Sequence, residues 1–132
     1  MKKIKKPKIE RQLEENIAYG SILKAAGQLW MAINLTKLYS IQEERDGKLS
    51  SADEGILLGV WVQAIGEIVG TVGVVAEVST DDPQKEIRAD IIAANGSYLQ
   101  SIGAGIEAIN STRAIREEIE EGLPQPLLFI PD

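Results

Sequence analysis

Apolar residues recur at helical intervals along three segments of the 132-residue chain. In the first segment, residues 9–44, apolar side chains from Ile9 to Leu38 stand three or four positions apart in several steps, as one face of an amphipathic helix requires. The second and third segments span residues 51–78 and 83–121. We therefore predict an all-α fold, an antiparallel bundle of three long helices joined by short links.

Residues that favour turns and helix ends separate the three segments. Gly47 lies in a polar stretch that predicts a turn, and Ser51 with Glu54 three residues later predicts a capping box at the start of the second helix. Asp82 is predicted to cap the third helix, which then begins with a proline. Gly122 is predicted to end it.

The second segment contains the most apolar stretch of the chain, "GILLGVWVQAIGEIVGTVGVVAEV" at residues 55–78. Its charge-free runs, residues 55–66 and 68–76, have 12 and 9 residues. A membrane-spanning helix needs about 20 apolar residues, and an acid such as Glu67 near its centre is unfavourable. We therefore predict a bundle helix here in preference to a membrane span.

Three 15-residue stretches align without gaps and indicate an internal repeat in the three-helix domain, residues 9–122. They are "GSILKAAGQLWMAIN", "GVWVQAIGEIVGTVG" and "GSYLQSIGAGIEAIN". Glycine in mid-helix is unfavourable by about 0.5–1 kcal/mol relative to alanine, so a repeated glycine needs a compensating role. We predict that the glycines, about seven residues apart, form a stripe that lets helix axes approach closely. The alternative is a groove or pore for a ligand. The predicted stripe comprises Gly20, Gly27, Gly59, Gly66, Gly73, Gly96 and Gly103.

The second and third copies carry the pattern G-x-[WY]-[LV]-Q-[AS]-I-G, as "GVWVQAIG" and "GSYLQSIG". This pattern resembles that of uncharacterised repetitive Gly/Ala-rich helical proteins of Bacillus-type bacteria. The first copy departs from it, with Ile22 at the aromatic position and Lys24 at the glutamine position. The resemblance implies helical repeats and no known activity, and it transfers no functional residue to this chain.

The composition excludes several kinds of chemistry. The chain has no cysteine and no histidine, which removes thiolate metal sites, disulfides, the catalytic triad and the commonest general base. The acidic run "REEIEEG" at residues 116–122 lacks the ligand spacing of a calcium loop and is interpreted as a solvated face. We therefore expect no enzymatic activity, no catalytic residue, no cofactor and no metal.

Three residues are candidates for an interaction surface, namely Trp61, Glu67 and Phe129. Glu67 would be an isolated buried acid with a raised pKa, or part of a narrow wet stripe with Gln63 and Thr71 at four-residue spacing. The wet stripe is the favoured interpretation. The separate aromatic residues Trp30, Trp61 and Tyr98 are expected in the core rather than as base-stacking platforms.

The charge is unevenly distributed along this acidic chain, whose net charge is −6. The basic N-terminal arm, residues 1–8, carries five lysines from Lys2 to Lys8, and is interpreted as a solvated tail, with an anionic membrane surface as the alternative. So acidic a protein is not expected to bind nucleic acid. The apolar C-terminal tail, residues 123–132, is expected to be extended and to dock on the bundle.

The second helix has too thin a polar face for a peripheral element of a three-helix monomer. The favoured hypothesis is therefore a structural or interaction protein that self-associates, with a homodimer preferred. The alternative is a membrane-active or peripheral membrane protein, based on the lysine arm and the apolar stretch. A cytoplasmic location is expected, with membrane association, or export without a classical signal peptide, as the alternative.

Overall fold

The computed structural model describes residues 6–122, which form three α-helices and no strand. Helix α1 spans Lys8–Asp46, α2 spans Ser51–Val78 and α3 spans Pro83–Glu120. The predicted all-α bundle of three long helices is confirmed, and the bounds of the second helix are those predicted. Helix α1 extends the predicted segment by one residue at its start and two at its end, so it begins within the predicted basic arm.

The ends of α1 and α2 are set by local hydrogen bonds. Gly47 adopts a left-handed conformation with φ 79°, and its N–H donates to the Glu43 carbonyl over 2.7 Å. Glycine takes this conformation without a steric penalty, so it ends the helix cleanly. Ser50 caps α2, because its Oγ accepts from the N–H of Asp53 at 3.0 Å. The predicted cap at Ser51 is therefore one residue too late.

Helix α3 begins and ends close to the predicted residues. The side chain of Asp82 accepts from the N–H of Gln84 at 3.0 Å and satisfies one of the free donors of the first turn. Glu121 is the last residue in a near-helical conformation, and Gly122 follows it with φ 84°. The cap at Asp82 is therefore confirmed, and Gly122 lies one residue beyond the C-cap position.

Helix α2 packs against both neighbours, whereas α1 and α3 do not pack against each other within the described residues. Both contacts are antiparallel. Between α1 and α2, Ser21 lies beside Thr71 and Thr36 lies beside Trp61, so the chain directions are opposed. This arrangement leaves α1 and α3 each with one partner helix, and α2 with two.

The interior of the bundle is built from small residues. The largest fully buried side chain is Val60, which packs with Ala32 and Ala64. Leu35, Ile56 and Trp61 contact this cluster from its edge. Small buried side chains allow close helix packing, but they place most of the large apolar side chains outside the bundle.

Large apolar side chains lie exposed on all three helices. Trp30 is 72% exposed and Tyr98 is 71% exposed, so the expectation that these aromatic residues belong to the core is wrong. They project from helix faces that no other described helix covers. Further exposed members include Ile9, Leu13, Ile17, Leu23, Met31, Leu38, Leu58, Ile65, Val72, Ile91, Ile102 and Ile109.

Candidate functional site

Helices α2 and α3 touch through glycine, with backbone against backbone. Gly59 lies opposite Gly103, and Gly66 lies opposite Gly96. A Cβ atom added at Gly66 would stand 2.6 Å from the amide nitrogen of Gln100 and 2.8 Å from the carbonyl oxygen of Gly96. Such separations are shorter than real Cβ contacts allow, so these positions accept only glycine at this helix separation.

The same contact continues toward the end of α2. A Cβ atom at Gly73 would lie 2.7 Å from the carbonyl oxygen of Ala89, and one at Gly70 would lie 3.3 Å from the Gln100 side chain. Gly55, near the start of α2, abuts the Asn110 side chain. Five positions of the predicted stripe, those on α2 and α3, thus lie in one continuous helix contact.

Gly20 and Gly27 differ from the other members of the predicted stripe. No atom lies within 4 Å of a Cβ added at either residue, so neither makes a close helix approach within the chain, contrary to the prediction. Helix α1 instead buries Ala18, Ala25 and Ala32. Because each of these alanines lies two residues, about 200° of helical rotation, from the glycine stripe, the glycines are on the opposite side of α1.

The helices therefore have two kinds of small-residue face, a glycine face and an alanine face. Helix α2 directs its alanine face, centred on Ala64, to α1 and its glycine face to α3. The glycine face of α1 has no partner helix among the described residues. On α3, the position equivalent to Ala25 and Ala64 is Ser101, which is exposed, so the corresponding face of α3 is also uncovered.

Large apolar side chains flank the uncovered glycine face of α1. Leu23 is 73% exposed, and Trp30, seven residues further along the helix, is 72% exposed. We call this surface, consisting of the two glycines and their apolar neighbours, the open glycine face. Its apolar neighbours are Leu13, Ile17, Leu23, Trp30, Met31 and Leu38.

Trp61 contacts α1 of its own chain. Its Nε1 donates to Thr36 Oγ1 over 2.8 Å, and its ring packs against the cluster of Ala32, Val60 and Ala64. Trp61 therefore fixes α2 against α1. The role of Trp61 in an interaction surface stays a prediction.

The polar residues of α2 also contact neighbouring helices. Glu67 has a side chain 12% exposed and forms an ion pair with Lys24 of α1 at 3.1 Å. The Thr71 hydroxyl lies 2.9 Å from the Ser21 hydroxyl, and Gln63 donates to the carboxylate of Glu107 on α3. The predicted wet stripe is therefore wrong, because these side chains bond to two different helices and do not form one solvated face.

A charged cleft lies where the start of α1 meets the end of α2. Lys6 and Glu14 form an ion pair there, with Glu77 lining the same cleft. Burial raises the pKa of the Glu77 carboxyl above its ordinary value, and the negative charges of Asp90, Glu86 and Glu14 raise it further, against the smaller opposing effect of Lys6. Ionisation of Glu77 is thus less favourable in the folded chain than in the unfolded chain.

Among residues 6–122, no group of three acidic side chains is placed to hold a metal ion. In the same range every buried side-chain nitrogen and oxygen has a hydrogen-bond partner. By length and composition alone, helix α2 is the one described helix that could cross a membrane, and 33% of its most apolar window is buried in the bundle.

Two predicted features lie outside the described residues. They are the apolar tail with Phe129, and the first part of the basic arm, including Lys2, Lys3 and Lys5. The roles assigned to them from the sequence stay predictions.

Comparison of the chain with protein-family models, with curated proteins and with solved structures finds no match. The resemblance to repetitive helical proteins and the internal repeat therefore stay predictions from the sequence.

Proposed function

We propose that this protein is a non-enzymatic helical protein that works through self-association, as a structural or interaction component. One observation carries the proposal, namely that large apolar side chains lie outside the bundle while alanine and glycine fill its interior. On the open glycine face, Leu23 and Trp30 are each more than 70% exposed.

A lone chain leaves many large apolar side chains in water. Removing a large apolar side chain from water is favourable by about 1.5–3 kcal/mol. Soluble monomers rarely expose contiguous apolar patches beyond a few hundred Å². The exposed side chains of α1 follow one another along the helix, so a second chain that covered them would gain this free energy at several positions. A twofold-symmetric dimer is the commonest such assembly.

The test is the molar mass of the full chain by light scattering after gel filtration, from about 1 to 100 µM in loading concentration, a range in which micromolar association becomes visible. We expect a mass of two or more chains at the upper end. We also expect the mass to persist in 1 M salt, because salt screens ionic contacts but leaves apolar burial intact. A monomer at every concentration would contradict the proposal.

Membrane binding is a second candidate function, favoured by the length and apolar character of α2. On α2, the exposed side chains of Leu58, Ile65 and Val72 are seven residues apart and thus form one apolar stripe. Flotation of the full chain with anionic and with neutral vesicles tests this candidate. Co-flotation with both kinds of vesicle would support insertion of the apolar stripe. Co-flotation with anionic vesicles alone would support attraction of the basic arm to the anionic surface. Absence of the protein from both vesicle fractions would exclude membrane binding.

A further inference from the structure

We infer that the open glycine face of α1 is the self-association surface, and that α1 of a second copy of this chain covers it in antiparallel orientation. The inference rests on the proposed self-association and specifies its partner surface and register. Gly20 of one copy lies opposite Gly27 of the other, and the reverse contact follows by twofold symmetry.

The helix that covers the open glycine face can be inferred from the helix faces that already have a partner. The glycine faces of α2 and α3 cover each other, and the alanine faces of α1 and α2 cover each other. Within the described residues the glycine face of α1 is the one glycine face without a partner. A matching glycine face is therefore offered only by α1 of another copy.

The contact between α2 and α3 supplies the geometry. There the first glycine of one repeat lies opposite the second glycine of the other, as Gly59 does with Gly103 and Gly96 does with Gly66. Helix α1 has the same seven-residue spacing, so the same antiparallel contact places Gly20 against Gly27 of the second copy. Each glycine then meets backbone, as it does in the α2–α3 pair.

This register covers apolar side chains on both flanks of the glycine stripe. At 100° per residue, Ile17 and Met31 lie on one flank and Leu23 lies on the other. Twofold symmetry keeps each flank on its own side, so Ile17 meets Met31 of the second copy and Leu23 meets Leu23 of the second copy. All three residues are exposed in the single chain. The register also brings Glu10 level with Lys37 of the second copy, on opposite flanks of the contact.

Lys24 is the one position where this register brings like charges together. Its equivalents in the α2–α3 contact are Gln63 and Gln100, which lie beside the facing glycines. The two Lys24 side chains would approach each other near the twofold axis. Each is already paired with Glu67 of its own chain at 3.1 Å, and this partner offsets the repulsion.

Cysteine cross-linking tests the surface directly, because the natural chain has no cysteine. Leu23→Cys places a thiol near the proposed twofold axis, and Tyr98→Cys places one on the uncovered side of α3 with matched exposure, 73% against 71%. Treated with a short bismaleimide, the Leu23→Cys chain should form covalent dimers at least about tenfold faster than the Tyr98→Cys chain, because a bound partner raises the local thiol concentration toward millimolar.

The register is tested by mixing a tagged Glu10→Cys chain with an untagged Lys37→Cys chain. Antiparallel pairing predicts cross-links between the two kinds of chain. Two Glu10→Cys chains should not cross-link, since their thiols would lie about 40 Å apart along the helix axis at 1.5 Å per residue. Both residues are exposed, so neither variant should disturb the fold.

The possible outcomes separate this inference from the proposed function. Rapid cross-linking at position 23 and not at position 98, with mixed dimers in the second experiment, supports the inference. A dimeric mass without cross-linking at position 23, equal rates at both positions, or cross-links between two Glu10→Cys chains would overturn it and leave self-association standing. A monomeric mass would overturn both.

Discussion

Replacing Gly66 with alanine tests the backbone contact between α2 and α3 with a single methyl group. The added Cβ would stand 2.6 Å from the Gln100 amide nitrogen and 2.8 Å from the Gly96 carbonyl oxygen. Both are backbone atoms, so no side-chain rotation can relieve the clash. The two helices must move apart locally, which also loosens the packing of Gly96 against Gly70 on the same turn.

Two opposing effects determine the size of the change in stability. Alanine is a better helix former than glycine by about 0.8–1 kcal/mol, which favours the variant. Overpacking of a close contact typically destabilises by about 1–3 kcal/mol, and the loss of dispersion contacts between separated helices adds to this. We expect Gly66→Ala to be destabilised by about 1–2 kcal/mol net, which lowers Tm by roughly 4–8 °C for a chain of this length.

The assay is thermal unfolding followed by circular dichroism, at a low and fixed protein concentration because association shifts Tm. Gly105→Ala is the matched control, since it lies in the middle of α3 and a Cβ there meets no atom within 4 Å. It should gain about 0.5–1 kcal/mol from helix propensity alone. If Gly66→Ala were stabilised as much as Gly105→Ala, the close helix contact would be refuted.

Three further substitutions test separate parts of the fold, each by the same unfolding measurement. Ser50→Ala should destabilise by about 1 kcal/mol because α2 loses its N-cap; an unchanged Tm would mean that the cap contributes nothing. Trp61→Phe should destabilise by about 0.5–1.5 kcal/mol because the hydrogen bond to Thr36 is lost, and equal stability would contradict that role. Glu77→Gln should raise Tm at pH 7. The pKa of Glu77 is higher in the folded chain than the ordinary 4.5, so the natural chain loses stability as pH rises from about 4.5 to the folded-state pKa and ionises Glu77. The gain should vanish by pH 4, and a lower Tm at pH 7 would contradict the raised pKa.

The helices were predictable because their signals are local. Apolar periodicity and cap residues such as Asp82 act within a few positions of the chain, so they can be found in the sequence. The sequence predicts the cap of α2 one residue late because Ser50 and Ser51 are adjacent and either serine can start a helix. The hydrogen bond from the Asp53 amide to Ser50 decides between them.

The partner of each helix face was not predictable from the same signals. Gly27 and Gly66 occupy equivalent positions in the aligned stretches, yet one faces open space and the other faces a backbone. Which side of α1 meets α2 depends on the competition between the alanine and glycine faces for one neighbour. The exposure of Trp30 follows from that outcome, since burying Ala32 turns the opposite side of α1 outward.

The most direct test of the central claim is the molar mass of Gly27→Leu beside that of Gly105→Leu, by sedimentation velocity at a concentration where the natural chain associates. Both glycines lie in helices with open space around them in the single chain, so neither leucine should disturb the monomer. We expect Gly27→Leu to be monomeric, because the leucine side chain separates two α1 helices, and Gly105→Leu to keep the mass of the natural chain. An associated Gly27→Leu chain, or a monomeric Gly105→Leu chain, would contradict it.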